Sequence, residues 1–135
     1  MLFTKKNAEA TLDKWQPILR LSDWDIEVDT KPRKKMEEEA DGLCQAYPDL
    51  KEAEITICSG KPSSKFSTHE RIAVHELVHC LTAEIADKCP EVENEVEKLV
   101  EIVSKSFVDL DDMWRRMYEQ LKEELSSSGE ESSPR

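Results

Sequence analysis
Apolar residues along the chain change period twice, and the changes mark out the elements. Residues 4–16 carry a helical pattern, with Leu12, Trp15, Ile18 and Leu19 on one side. Pro17 predicts a break or kink near Gln16. From Trp24 to Asp29 apolar and acidic residues alternate, as in a half-buried strand. Residues 31–41 are charged and read as a loop. Gly42 to Tyr47 reads as a short strand ended by Pro48-Asp49. Ala53-Glu54-Ile55-Thr56-Ile57-Cys58 alternates again, and Ser59-Gly60-Lys61-Pro62 stops it with turn chemistry.

After Ser67 the period becomes 3.6. Thr68 can cap a helix over 69–86, although Arg71 stands where a capping box needs Glu. Cys89-Pro90 ends it, and Pro90 suits the first turn of a following helix. That helix is expected over 91–107, with Val92, Val96, Leu99, Val100, Val103 and Phe107 as its core face. A last helix is expected over 109–125, packing Leu110, Met113, Trp114, Met117 and Leu121 on the core; docking of a partner there is the alternative. Trp15, Trp24 and Trp114 read as core or interface anchors. The tail 126–135 has no apolar residue and reads as disordered. The pattern predicts one α+β domain over 1–125. A small three-stranded sheet packs on helix 69–86 and the glutamate helix after it, flanked by N- and C-terminal helices.

Composition narrows the partners. The 135 residues carry 19 Lys+Arg and 30 Asp+Glu, a net charge of −11. Such a balance disfavours nucleic acid and anionic membrane surfaces, both of which call for a basic face. No stretch approaches the roughly 20 apolar residues of a membrane span. The N-terminus MLFTKKNAEATLDKW does not read as a signal peptide, so a cytoplasmic location is expected. The four cysteines (Cys44, Cys58, Cys80 and Cys89) lack CxxC spacing and are expected as reduced, mostly buried thiols.

Two of the three histidines fall in His75-Glu76-Leu77-Val78-His79, an H-E-x-x-H within the helical segment. Residues four apart share a helix face, so both imidazoles can reach one metal ion. Glu76 lies about 100° round the helix, beside the metal without ligating it, where a base for a metal-activated water belongs. Ile72-Ala73-Val74, Leu77-Val78 and Cys80-Leu81 supply the uncharged frame of a buried metal helix.

A catalytic zinc site takes a third protein ligand. His69 is turned about 240° from His75 and is off the metal face. Position 85 is Ile, which excludes a downstream third histidine in the pattern HExxHxxGxxH. The candidates are the glutamates of the next helix. Helix phase places Glu93 nearest the apolar face. Glu97, one turn on, is then an outer carboxylate accepting a ligand histidine's free N–H. Antiparallel hairpin geometry argues instead for a residue near 97 opposite His79, leaving Glu97 as the alternative third ligand.

With these residues the chain resembles a minimal gluzincin metallopeptidase. It is similar to small phage-type metallopeptidases and, more distantly, to ImmA/IrrE and thermolysin-like proteins. The resemblance covers about residues 18–107: the strands LSDWDIEV and AEITIC, the HELVH helix, and the glutamate helix ENEVEKLV. It implies a zincin-like fold, Zn²⁺, and peptide-bond hydrolysis by a metal-bound water with Glu76 as general base. In those relatives a ligand glutamate is followed four residues later by an acidic or amide residue, a pattern that falls on Glu93 and Glu97. The spacing from His79 to Glu93 is shorter than in thermolysin-like enzymes. No clear equivalent of their oxyanion-stabilising Tyr or His exists; Tyr47, Tyr118 and His69 are the candidates. A peptide or protein substrate is expected along the edge of strand 53–58. The other class of function is a catalytically inactive or regulatory zinc-binding interaction module with a structural metal site.

Overall fold
A computed structural model of the chain describes residues 2–37 and 39–132, with side-chain surroundings to residue 127. Helix α1, Lys5–Ile18, opens on a reciprocal cap. Thr4 Oγ1 accepts the Asn7 N–H at 3.1 Å, and Asn7 Oδ1 accepts the Thr4 N–H at 3.0 Å. Pro17 does not break the helix early, because it falls in the last turn, where a helix is ending anyway. The stop is a Schellman turn. The Leu21 N–H reaches the Gln16 carbonyl at 2.8 Å and the Arg20 N–H reaches Pro17 at 3.1 Å. Arg20 takes φ 63° to make it. A non-glycine residue there costs about 1 kcal/mol, offset by burial of Leu21, the next residue.

Strands β1 (Asp25–Lys31), β2 (Gly42–Tyr47) and β3 (Glu52–Cys58) fall where alternation predicts them. The 31–41 loop contains one short 3₁₀ turn, Arg33–Lys35. Strand order is β1-β3-β2, with β1 parallel and β2 antiparallel to β3. One expectation fails here. Strand 53–58 has no free edge, because Val28 pairs with Ile55 on one side and Cys44 with Ile55 on the other. The outer strands are β1, which packs on α1, and β2, which packs on the next helix.

Helix α2, His69–Lys88, starts on Thr68, whose hydroxyl accepts the Arg71 N–H at 3.1 Å. It buries Ile72, Ala73, Val74, Leu77 and Val78 against Ile55 and Ile57 of β3 and against α1, which supplies Ala8, Leu12 and Trp15. All four cysteines are free. Pro90–Val92 forms a single 3₁₀ turn, and α3 runs from Glu93 to Ser132.

The two expected helices, 91–107 and 109–125, are thus one. No glycine or proline lies between Glu91 and Ser128, so nothing interrupts the hydrogen-bond ladder at Val108. The helix takes in the first seven residues of the tail; 133–135 lie outside the described residues. Its core face also differs from expectation. Val100, Ser104 and Val108 are buried, while Leu99, Ile102 and Phe107 are exposed. The expected core packing of Leu110, Met113, Trp114, Met117 and Leu121 is absent too: Trp114 is 61% exposed and its neighbours are similar.

An ion-pair junction closes the domain. The Lys14 ammonium on α1 donates to Glu70 of α2 at 2.9 Å and to Asp111 of α3 at 2.8 Å. The same Glu70 oxygen accepts the indole N–H of buried Trp15 at 2.9 Å. No helix among the described residues is long and apolar enough to cross a membrane.

Candidate metal centre
His75 and His79 project from one face of α2 toward α3, their Nε2 atoms 3.2 Å apart. Glu97 meets both: Oε1 lies 3.0 Å from His75 Nε2, and Oε2 lies 3.2 Å from His79 Nε2. Glu101, one turn on, places Oε2 at 2.8 Å from His75 Nδ1. A carboxylate only accepts, so a His75 proton on Nδ1, toward Glu101, is the tautomer that would present the Nε2 lone pair to a metal. Lys105 in turn donates to Glu101 at 3.1 Å.

The structure thus brings together Glu97, and not Glu93, with the two histidines. Glu93 is exposed at the first residue of α3, about 6 Å along the axis from Glu97. Phase is not at fault for Glu93, since it and Glu97 lie within about 40° of one another. Axial level decides: the turn at Cys89–Val92 sets Glu97 opposite the histidines. The outer carboxylate correspondingly falls on Glu101 rather than Glu97. Neither shift is readable without the register between α2 and α3, although the hairpin argument pointed the right way.

The donor set fits a small divalent cation. Zinc binds nitrogen and oxygen at about 2.0–2.1 Å, so ligand atoms at the corners of a tetrahedron stand about 3.3 Å apart. Here the two Nε2 atoms stand 3.2 Å apart, each has a different Glu97 oxygen at 3.0 or 3.2 Å, and one ligand atom from each of the three residues lies within 4.8 Å of the others. Two imidazoles and a carboxylate are the groups that ligate such a cation. Burial pushes the His79 imidazole pKa down; the Glu97 carboxylate pulls it up and His75 pushes it down, with a net lowering. His79 is thereby kept in the neutral form that ligates. Burial alone would raise Glu101, but Lys105 and His75 hold it below the ordinary carboxylate value.

Glu76 is 6% exposed and turns its carboxyl toward β2. Gly42, the first residue of that strand, makes room for it. A methyl group at Gly42 would lie 2.8 Å from Glu76 Oε2 and 3.0 Å from Ile72 Cγ2. Burial, with Cys44, Glu97, Glu101 and Asp41 nearby, raises the Glu76 pKa well above that of a free glutamate. The carboxyl opens onto a cleft of about 280 Å³ lined by Gly42, Phe66, Arg71, His75, Glu76 and Glu101, among others.

Asp41 ties down the cleft's mouth. It accepts from Arg33 at 2.6 Å, from the Ser63 backbone at 3.0 Å and from the Ser63 hydroxyl at 2.8 Å. Gly42, Asp41 and Glu101 escape sequence reasoning, because only the packing of β2 and α3 on α2 gives them a role.

The candidate oxyanion residues lie elsewhere. His69 stacks on Phe3 with ring centroids 4.4 Å apart, and its Nε2 bonds the Gly60 carbonyl at 2.7 Å. It is a structural clamp between the N-terminus and the loop after β3. Tyr47 closes β2 and Tyr118 lies far along α3; both are exposed, and neither lines the cleft. Comparison of the chain with protein families, with curated proteins and with solved structures finds no match. What the centre can do is therefore read from its own chemistry.

Proposed function
We propose that the protein is a zinc-dependent peptide hydrolase, with His75, His79 and Glu97 holding the metal and Glu76 as general base. The observation that carries this is the convergence of His75, His79 and Glu97, with ligand atoms within 4.8 Å of one another, beside buried Glu76, which lines a cleft. When bound, zinc supplies a Lewis acid that acidifies water and polarises a carbonyl. Glu76 takes the proton from the attacking water and delivers it to the leaving amine. Burial and the surrounding carboxylates favour its protonated form, the form that delivers a proton to the amine. Glu101 orients His75 through Nδ1. The substrate is an extended peptide lying along β2, whose position at the end of the sheet beside α2 runs it past the cleft. The gluzincin resemblance of HELVH and its glutamate helix agrees with this arrangement, with the ligand role moved one turn to Glu97.

The test is Glu76→Gln. It keeps the fold and one zinc per chain, and lowers hydrolysis of an unfolded fluorogenic protein by about 10²–10⁴-fold. An unchanged rate would leave a structural metal site in an interaction module as the better reading.

A further inference from the structure
The apolar stripe of α3 does not stop where the domain does. Val100, Val103, Phe107, Leu110, Trp114, Met117 and Leu121 alternate in steps of three and four, the spacing of a coiled-coil seam. Val100 and Val103 spend that seam on the chain's own core. Past the Lys14–Asp111 ion pair it faces solvent. Leu110, Trp114, Met117 and Leu121 are all exposed, and a shallow groove of about 350 Å³ runs among Trp114, Met117, Tyr118 and Leu121.

We propose that this stretch of α3, from Phe107 to Leu125, is a homodimer interface in which a second copy of the same helix covers the seam. Three observations select a second copy. First, of the positions flanking the seam, Met113, Tyr118, Gln120 and Leu125 are uncharged, and the charged one, Asp111, is paired with Lys14 and Arg115, so a two-fold axis sets no unpaired like charges face to face. The charged residues Arg115, Arg116, Glu119, Lys122 and Glu123 keep to the outer faces, and Arg115 pairs with Asp111 at 2.7 Å.

Second, the area is of the right size. Seven large apolar side chains between Leu110 and Leu125 are 46–65% exposed. At roughly 150–250 Å² for a large side chain, they offer on the order of 600–1,000 Å² per copy. A stable interface needs about 800 Å² per partner. Third, the seam has an end: Glu124 occupies the next seam position, so the pairing is a short closed zipper and not an open filament. A lone projecting helix is marginal in water without such cover.

The full chain, metal-free in a chelator so that the outcome is independent of the zinc centre, is examined by sedimentation equilibrium. The expected result is a mass of two chains at tens of micromolar. Trp114→Glu combined with Met117→Glu should sediment as one chain, while Trp114→Leu, which keeps the seam apolar, should remain paired. A wild-type chain that stays single overturns the proposal. So does a glutamate variant that stays paired, since contact then lies elsewhere. A single chain in which Trp114 is shielded from a soluble quencher also overturns it, and points to α3 folding back on its own domain.

Discussion

Between Glu93 and Val108, α3 lies on α2 and turns Glu97, Val100, Glu101 and Ser104 toward it; from Asp109 onward the same helix turns Leu110, Trp114, Met117 and Leu121 toward water. Apolar content does not tell the halves apart, since 93–108 and 109–125 carry seven large apolar residues each. It is the first half that is buried, and two of its inward residues are carboxylates. The difference is one of partners. Inward carboxylates are stable where His75 and His79 face them, and Val100 and Val108 seal the space around. An apolar stripe with nothing across from it gains nothing from its periodicity until a partner arrives.

The contrast can be broken most severely at Gly42. Gly42→Ala puts a methyl group into the space of the Glu76 carboxyl. Hydrolysis should fall by about 10²-fold, the scale of misplacing a reacting group by an ångström, with zinc still bound at one per chain. Retained activity would mean that Glu76 is free to move and that Gly42 does not position it.

Paired truncations on α3 come next. Val100→Ala, at a position with no exposure, should cost about 2 kcal/mol of unfolding free energy in urea titration. Leu121→Ala should change it by less than about 0.5 kcal/mol when the chain is dilute enough to be single. Equal costs would show that both halves are packed within the chain.

The smallest effect concerns the cleft's mouth. Burial would raise the Asp41 pKa, but hydrogen bonds from Arg33 and Ser63 outweigh it and hold the carboxyl below its ordinary value. A group with a depressed folded pKa contributes stability above its unfolded pKa of about 3.9, and that contribution is lost as pH falls through the folded value. Urea midpoints measured from about pH 5 down to pH 3 should fall more steeply for the wild type than for Asp41→Asn. Parallel slopes would remove Asp41 as a stabilising contact.

Much of the fold is legible in the residues. The three strands announce themselves by alternation and turn chemistry, and HELVH announces a helix with both histidines on one face. What escapes depends on which element lies beside which. β3 looks like an edge strand until β1 pairs with it in parallel across from β2. Glu93 and Glu97 share a face of α3, and only the level at which α3 docks on α2 sets Glu97 opposite the histidines. The length of α3 is readable, since no glycine or proline lies near Val108 and the apolar stripe runs on through it. Gly42 carries no mark of its role, because its importance lies in the space it leaves for a residue 34 positions away.

Which carboxylate completes the centre is the sharpest question, and zinc titration of two variants against a competing chelator answers it. Glu93→Gln should bind one zinc per chain with the affinity of the wild type. Glu97→Gln should bind far more weakly while keeping its fold by circular dichroism. Loss of zinc in Glu93→Gln with retention in Glu97→Gln, or a wild-type chain that takes up no zinc, would contradict the centre described above.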